Sequence, residues 1–272
     1  MWLALIHCSP VAKCSPVAVF PKHRVAVCTV PKSASSVWRK LLRRIYQTEN
    51  STTLSDANSW GCSSHGCLLD QPGAPAVLKT QAQARALMSL NYTFAHFARS
   101  PVERVFSMYT GFYHAGGPMP GAISFDTFLT RLEAGAWKGN VHTMGMLQEC
   151  NLGFGRARPD WQLWTGHAED AAQTQRRAHA YVHELFGSEV FRKVCSGWGC
   201  LERNASDAST NIFYSPRSTR AAENEANVNQ SRMASYIARI EALYPEDVSA
   251  YTAAVTRDYG RYFVPSCAGC RH

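Results

Sequence analysis

Between residues 25 and 45 the chain changes from an unbroken apolar run to a helical repeat. Val25, Ala26, Val27, Cys28, Thr29 and Val30 form a short, partly β-branched stretch that Pro31 closes, because proline cannot donate to a central ladder. This predicts a buried strand. After a turn, Trp38, Leu41, Leu42 and Ile45 recur at helical spacing, with Arg39, Lys40, Arg43 and Arg44 largely on the opposite face. A second strand-to-helix junction follows the same plan. Thr93 to Ala98 reads as a strand and Arg99 stands at its end. Ser100, Pro101 and Glu103 then predict a capping box with proline at the first helical position. Further on, residues 167–186 predict a helix closed by Gly187. Met233, Tyr236, Ile237, Ile240 and Leu243 predict another, and Pro245 opens one more, carrying Val248, Tyr251, Val255 and Tyr259. Residues 50–75, rich in Ser, Gly, Cys and Asn, read as a long loop.

The two junctions carry anion chemistry. Backbone N–H groups at the start of a helix bind anions with help from its dipole, and Lys32 sits where it could reach such a group. A loop of the nucleotide triphosphatase type would place glycines around the phosphates and end in Lys-Ser/Thr to hold magnesium. No glycine occurs between Val25 and Ile45, and here the lysine comes first, followed by Ser33, Ser35 and Ser36. The turn therefore suits a phosphate without a triphosphate tail or a metal. At the second junction, Arg99 and Ser107 offer a guanidinium fork and a hydroxyl to one phosphate monoester. Plainer readings stand beside these: an ordinary strand-turn-helix with a solvated basic face, and an Arg99–Glu103 pair that merely decorates a helix start.

Taken together, VPKSASSVWRKLL resembles the 5′-phosphosulfate loop of the Golgi carbohydrate sulfotransferases, and FARSPVERVFSMY resembles the 3′-phosphate motif of the same family. LNYTF, the stretch from His142 to Cys150 and IEALYPEDVSAY resemble its chondroitin and dermatan branch. The resemblance implies an α/β fold of one domain, a central, mainly parallel sheet flanked by helices in the P-loop-like sulfotransferase manner. It also implies a donor, 3′-phosphoadenosine 5′-phosphosulfate (PAPS), no metal, and transfer of the sulfuryl group to a carbohydrate hydroxyl. Lys32 would stabilise the charge that builds as sulfate leaves. Lys32, Ser33, Ala34, Ser35 and Ser36 would cradle the 5′-phosphate, and Arg99 and Ser107 would hold the 3′-phosphate. Trp38 matches the family tryptophan but its phase suits core packing, and Arg104 matches the second arginine of the motif as either a ligand or a structural residue.

The acceptor hydroxyl needs a general base. His142 holds the family position, although Thr143, Gly145 and Met146 replace the Trp, Pro and Gln that accompany it in relatives. His65, His96 and Glu149 are the alternatives, with His96 read as a strand residue without chemical duty. Arg217 and Arg220 stand as a late contact to the 3′ end of the donor or as a solvated loop. Two rival readings remain: a catalytically inactive polyanion- or glycan-binding protein on the same fold, and a nucleotide-dependent phosphotransferase, which the missing glycines oppose.

With 272 residues, 46% of them hydrophobic, the chain can bury one sizeable core, and no linker or repeat argues for a second domain. Residues 22–265 are the expected catalytic domain. They are preceded by a segment, 1–21, that is disordered or the remnant of an anchor region, and followed by a short tail, 266–272. The net charge of +8 and the acid-free basic stretch from Lys22 to Arg44 suit an anionic donor and an anionic or glycoprotein-linked glycan acceptor. No nucleic-acid motif accompanies that charge.

Of the ten cysteines, Cys62 with Cys67, Cys195 with Cys200, and Cys267 with Cys270 suit small disulfide loops, a zinc site from two such pairs being the weaker reading. Cys28 reads as a buried thiol. Sequons begin at Asn50, Asn91, Asn204 and Asn229, in keeping with the Golgi lumen or membrane that the resemblance implies. Pro10, Lys13, Pro16 and Pro21 interrupt the N-terminal residues, far short of about twenty continuous apolar positions. The expectation is a catalytic fragment or incomplete gene model whose membrane anchor is missing, the other reading being a location different from that of its relatives.

Overall fold

Strand β1 (Val17–Phe20) turns through a single 3-10 turn, Pro21–His23, and pairs antiparallel with β2 (Val25–Cys28). Arg24, at φ 53, supplies the left-handed residue that closes this turn. The computed structural model describes residues 17–30, 38, 41–42, 45–46, 48–49, 76–77, 81–110, 123–137, 143–151, 154, 158–165, 180–196 and 230–262. Three more strands, β3 (Ala76–Val77), β4 (Thr93–Ala98) and β5 (Trp161–Thr165), complete a sheet of order β3-β1-β2-β4-β5. β2, β4 and β5 run parallel, in the register Cys28↔His96 and His96↔Leu163, while β1 and β3 add an antiparallel edge. The architecture is α/β, as expected. The sheet begins at residue 17, so the segment 1–21 is not wholly outside the domain: all four residues of β1 are buried.

Alternation along the central strands sends side chains to two cores. On one face Val25, Val27, Ala95, Phe97 and Trp164 pack against helix α1, to which residues 38, 41, 42, 45, 46, 48 and 49 belong. They also meet α6 (180–186) and α7 (Ser188–Ser196). Trp38 is fully buried and stacks on Phe97 with ring centroids 3.6 Å apart. It is a core residue, as its helical phase predicted. On the other face Val17, Ala26, Cys28, Val30 and Phe94 meet Ala84 of α2 (Gln81–Ser89), Met146 and Cys150 of α5 (Met146–Cys150), and Phe154. Gly187, at φ +87, ends α6 and lets α7 start at once, as its place after the repeat predicted.

A third core lies past the carboxyl end of β4. There α3 (Pro101–Met108) and α4 (Phe125–Glu133) pack Val105, Met108, Phe125 and Phe128 against Tyr236 and Ile240 of α8 (Met233–Leu243). Pro245 then opens α9 (Pro245–Tyr262), which lies along β5. Among the described residues no helix is long and apolar enough to cross a membrane.

Candidate active site

Parallel pairing brings the two candidate anion junctions to the same edge of the sheet. β2 and β4 are neighbours in register, so Val30 and Arg99 leave the sheet side by side at its carboxyl edge, where ligands of open α/β sheets bind. Lys32, Ser33, Ala34, Ser35 and Ser36 follow Val30 and Pro31 in sequence and lie outside the described residues, as do His65, His142, Arg217 and Arg220.

Arg99 is half-buried, and its Nε donates to Glu103 Oε2 at 3.1 Å. The expected capping box does not form: Ser100 makes no side-chain cap bond, and the Glu103 carboxylate is paired with Arg99. Pro101 does take the first helical position. Glu103 and Ser107 are four residues apart on α3, so the Arg99–Glu103 pair and the Ser107 hydroxyl share one face of that helix. The plainer pairing of Arg99 with Glu103 is therefore real, and it fixes the arginine beside the helix that bears Ser107.

Arg104 faces inward. Its guanidinium is 2% exposed, donates from Nη1 to the Met144 carbonyl at 2.7 Å and lies 3.9 Å from the equally buried Glu149 carboxylate. Burial works against its charge, and Glu149, Tyr244 and Asp247 work for it. Arg104 is thus structural, and Glu149, paired with it in the core, is no general base. Asp247, in the first turn of α9, accepts from the amides of Met146 at 2.6 Å and Leu147 at 3.0 Å. Burial raises its pKa, against those two bonds and Arg104. Tyr244, pushed up to about 12 by burial, stays a neutral hydroxyl and donates to the Thr143 carbonyl at 2.7 Å. Sequence reading missed this cluster. An acid near the start of a helix ordinarily complements its own helix, and only tertiary packing aims Asp247 at another.

Cys28 is not a free thiol. It forms a disulfide with Cys150, across 122 residues, on the face of the sheet that α5 covers. The spacing that favoured short loops could not reveal this partner. Cys195 lies in α7, and the other cysteines of the expected small loops lie outside the described residues. His96 packs against the bridge. Its Nδ1 is 3.4 Å from both Cys28 O and Cys150 Sγ, and its Nε2 has no hydrogen-bond partner among the described residues. The three residues form a cluster of metal-ligand type, but the sulfurs are bonded to each other. Fully buried, His96 cannot reach an acceptor, so it too is excluded as the base.

Burial, the largest cause, together with nearby Arg104 holds His96 down to about 4, against 6.5 in an unfolded chain. The folded state binds this proton less tightly than the unfolded state does. Stability is therefore complete above pH 6.5, falls as pH drops from 6.5, and is lowest below about 4. At about 1.4 kcal/mol for each tenfold change in proton affinity, the loss is about 3 kcal/mol. Urea unfolding between pH 4 and 7.5 should show this slope in the wild type and lose it in His96→Gln. Equal slopes would place the imidazole in contact with water.

Asn91, at φ 55, is exposed in the turn between α2 and β4, so its sequon stands clear of the strand it precedes. The sequons at Asn50, Asn204 and Asn229 lie outside the described residues.

No curated protein and no solved structure matches the chain. Residues 15–124, from the start of the sheet through both strand-to-helix junctions, match the model of the sulfotransferase family.

Proposed function

We propose that this chain is a PAPS-dependent sulfotransferase whose acceptor is a hydroxyl of a carbohydrate, a glycan or glycosaminoglycan, and that it works in the Golgi lumen. The observation that carries the reading is the parallel, adjacent pairing of β2 and β4. It brings the carboxyl ends of two strands, each followed in sequence by a candidate anion-binding motif, to one edge of the sheet within the stretch matched by the family model, which supports the reading. A donor with phosphates at both ends needs that arrangement.

In the proposed reaction the acceptor oxygen attacks sulfur and gives its proton to His142. The bond from sulfur to the bridging oxygen of the 5′-phosphate breaks, and adenosine 3′,5′-bisphosphate leaves with that electron pair. Lys32, aided by Ser33, Ala34, Ser35 and Ser36 and the amides of their turn, stabilises the charge on the leaving oxygen. Arg99 and Ser107 hold the 3′-phosphate, and Glu103 keeps the arginine at the head of α3. The basic stretch Lys22–Arg44 favours an anionic acceptor, and the likeness to the chondroitin and dermatan branch supports a glycosaminoglycan.

Calorimetric titration with adenosine 3′,5′-bisphosphate tests both phosphate sites at once, and transfer of radiolabelled sulfate from PAPS across a panel of glycans tests the chemistry. Saturable binding and transfer to at least one glycan are expected. Binding without transfer would favour the polyanion-binding alternative, and no binding would overturn the reading.

A further inference from the structure

Helix α2 ends in a closed backbone cap. The Tyr92 N–H donates to the Leu87 carbonyl and the Asn91 N–H to the Met88 carbonyl, both at 3.2 Å, while Asn91 takes the left-handed conformation at φ 55. This is the Schellman arrangement, in which backbone groups make the bonds and the left-handed residue lends only its φ. Leu87 and Tyr92 both pack against the core beneath α2. The Thr93 N–H then donates to the Arg24 carbonyl at 2.8 Å as β4 begins. The backbone of this turn is therefore held by its own bonds.

Two polar side chains are left unused by it. The Asn91 carboxamide is exposed and the Thr93 hydroxyl is on a half-buried residue, and neither has a hydrogen-bond partner among the described residues. Leu90, just before them, is 56% exposed, so the turn stands out from the body of the protein. Asn91, Tyr92 and Thr93 together spell an Asn-x-Thr acceptor for N-linked oligosaccharide. Asparagine alone has a plainer explanation, since its short side chain tolerates a left-handed φ. The cap asks nothing of residue 93, and a strand could start equally well on valine, which carries no hydroxyl. An independent observation concerns the compartment: the Cys28–Cys150 disulfide suits an oxidising lumen, where such oligosaccharides are added.

Position matters as well. Asn91 precedes β4 and so lies at the amino edge of the sheet, whereas both candidate anion junctions follow the carboxyl edge. The six residues of β4, at about 3.3 Å each, set Thr93 roughly 16 Å from Ala98. A bulky group on Asn91 stands at the far edge from the donor junctions.

We infer that Asn91 is an N-glycosylation site whose oligosaccharide projects from the amino edge of the sheet and leaves the carboxyl edge open. In the modification the Asn91 side-chain nitrogen forms a bond to the anomeric carbon of a lipid-pyrophosphate-linked oligosaccharide. The bond from that carbon to the pyrophosphate oxygen breaks, the lipid pyrophosphate leaves with the electron pair, and the amide nitrogen gives up one proton. This rests on the lumenal location in the functional reading and not on its donor or acceptor.

Glycopeptide mapping of the full chain purified from the cells that make it, before and after peptide-N-glycosidase, is the test. The peptide spanning Asn91 is expected to carry hexosamine and to hold aspartate at 91 after the enzyme. Unmodified asparagine there overturns the inference. Asn91→Gly, which keeps a residue suited to the left-handed cap, and Thr93→Val, which keeps Asn91 and a β-branched strand start, are each expected to lose that glycan. A glycan that persists at Asn91 in Thr93→Val refutes the acceptor sequence. Because the oligosaccharide is attached to the chain before folding is complete, mapping reads both variants even if one folds poorly.

Both variants are expected to keep the wild-type affinity for adenosine 3′,5′-bisphosphate and the wild-type turnover with PAPS. A loss of donor affinity shared by both would place the oligosaccharide at the carboxyl edge and overturn the placement. A wild type glycosylated at Asn91 that transfers no sulfate overturns the sulfotransferase reading and leaves this inference standing. One that transfers sulfate with Asn91 unmodified overturns this inference alone. Unmodified Asn91 together with free thiols at Cys28 and Cys150 would remove the lumenal location with it.

Discussion

Lys32→Ala is expected to slow sulfuryl transfer by about 10²- to 10³-fold, the usual cost of removing one donor aimed at a developing oxyanion. Lys32 follows Val30 by two residues in sequence, and the strand that precedes it, β2, is paired on both sides in the sheet. In the proposed reaction the charge of Lys32 matters most when the sulfur–oxygen bond is breaking and negative charge gathers on the bridging oxygen. The loss should therefore fall on kcat, with a smaller change in affinity for adenosine 3′,5′-bisphosphate, whose 3′-phosphate is proposed to be held by Arg99 and Ser107. Lys32→Arg should recover part of the rate, since the charge returns in a different shape. Steady-state kinetics with labelled PAPS reads all three forms. If Lys32→Ala turns over like the wild type, the electrostatic role is wrong.

Arg104→Leu should be among the most destabilising single changes in the molecule. It strips the buried Glu149 carboxylate and the Met144 carbonyl of the guanidinium, and breaking a buried pair from one side costs about 3–5 kcal/mol. Against a total stability of about 5–15 kcal/mol, that is enough to leave much of the protein unfolded at physiological temperature. Removing both partners, as Arg104→Leu/Glu149→Leu, should restore part of the loss because the Glu149 carboxylate is no longer left buried without its cation, while Asp247 and the Met144 carbonyl still lose Arg104. Urea unfolding of the wild type, the two single variants and the double variant measures the coupling directly. A cost below about 1 kcal/mol for Arg104→Leu would mean that water reaches this pair.

The same contrast explains what could be read in advance. Trp38, Leu41, Leu42 and Ile45 declared a buried helical face through spacing alone, and the structure buries all four. Strand β4 and the proline-opened helices α3 and α9 were legible for the same reason: period and capping are properties of a few consecutive residues. Residues 17–20 were hidden because prolines flank them, and four apolar residues become a strand only when β2 and β3 supply the ladder. Ser100 carried the right letter for a cap, yet its hydroxyl makes no cap bond and Glu103 pairs with Arg99. His96 and Glu149 were chemically eligible bases in the sequence. Burial removed both.

By itself the sequence determined the period of each long element, the two lysine- and arginine-bearing junctions, and the order in which they occur, because these depend on neighbours within a turn or two of helix or strand. Tertiary structure alone decided that β2 and β4 lie parallel and adjacent, that Cys28 is bonded to Cys150, and that Arg104, Glu149 and Asp247 are packed around α5. Those outcomes join residues roughly fifty to more than a hundred positions apart in sequence, as the register and bonding partners show. Local propensity carries no information about such pairings. They are selected by the burial of both sheet faces and by the need of every buried charge for a partner.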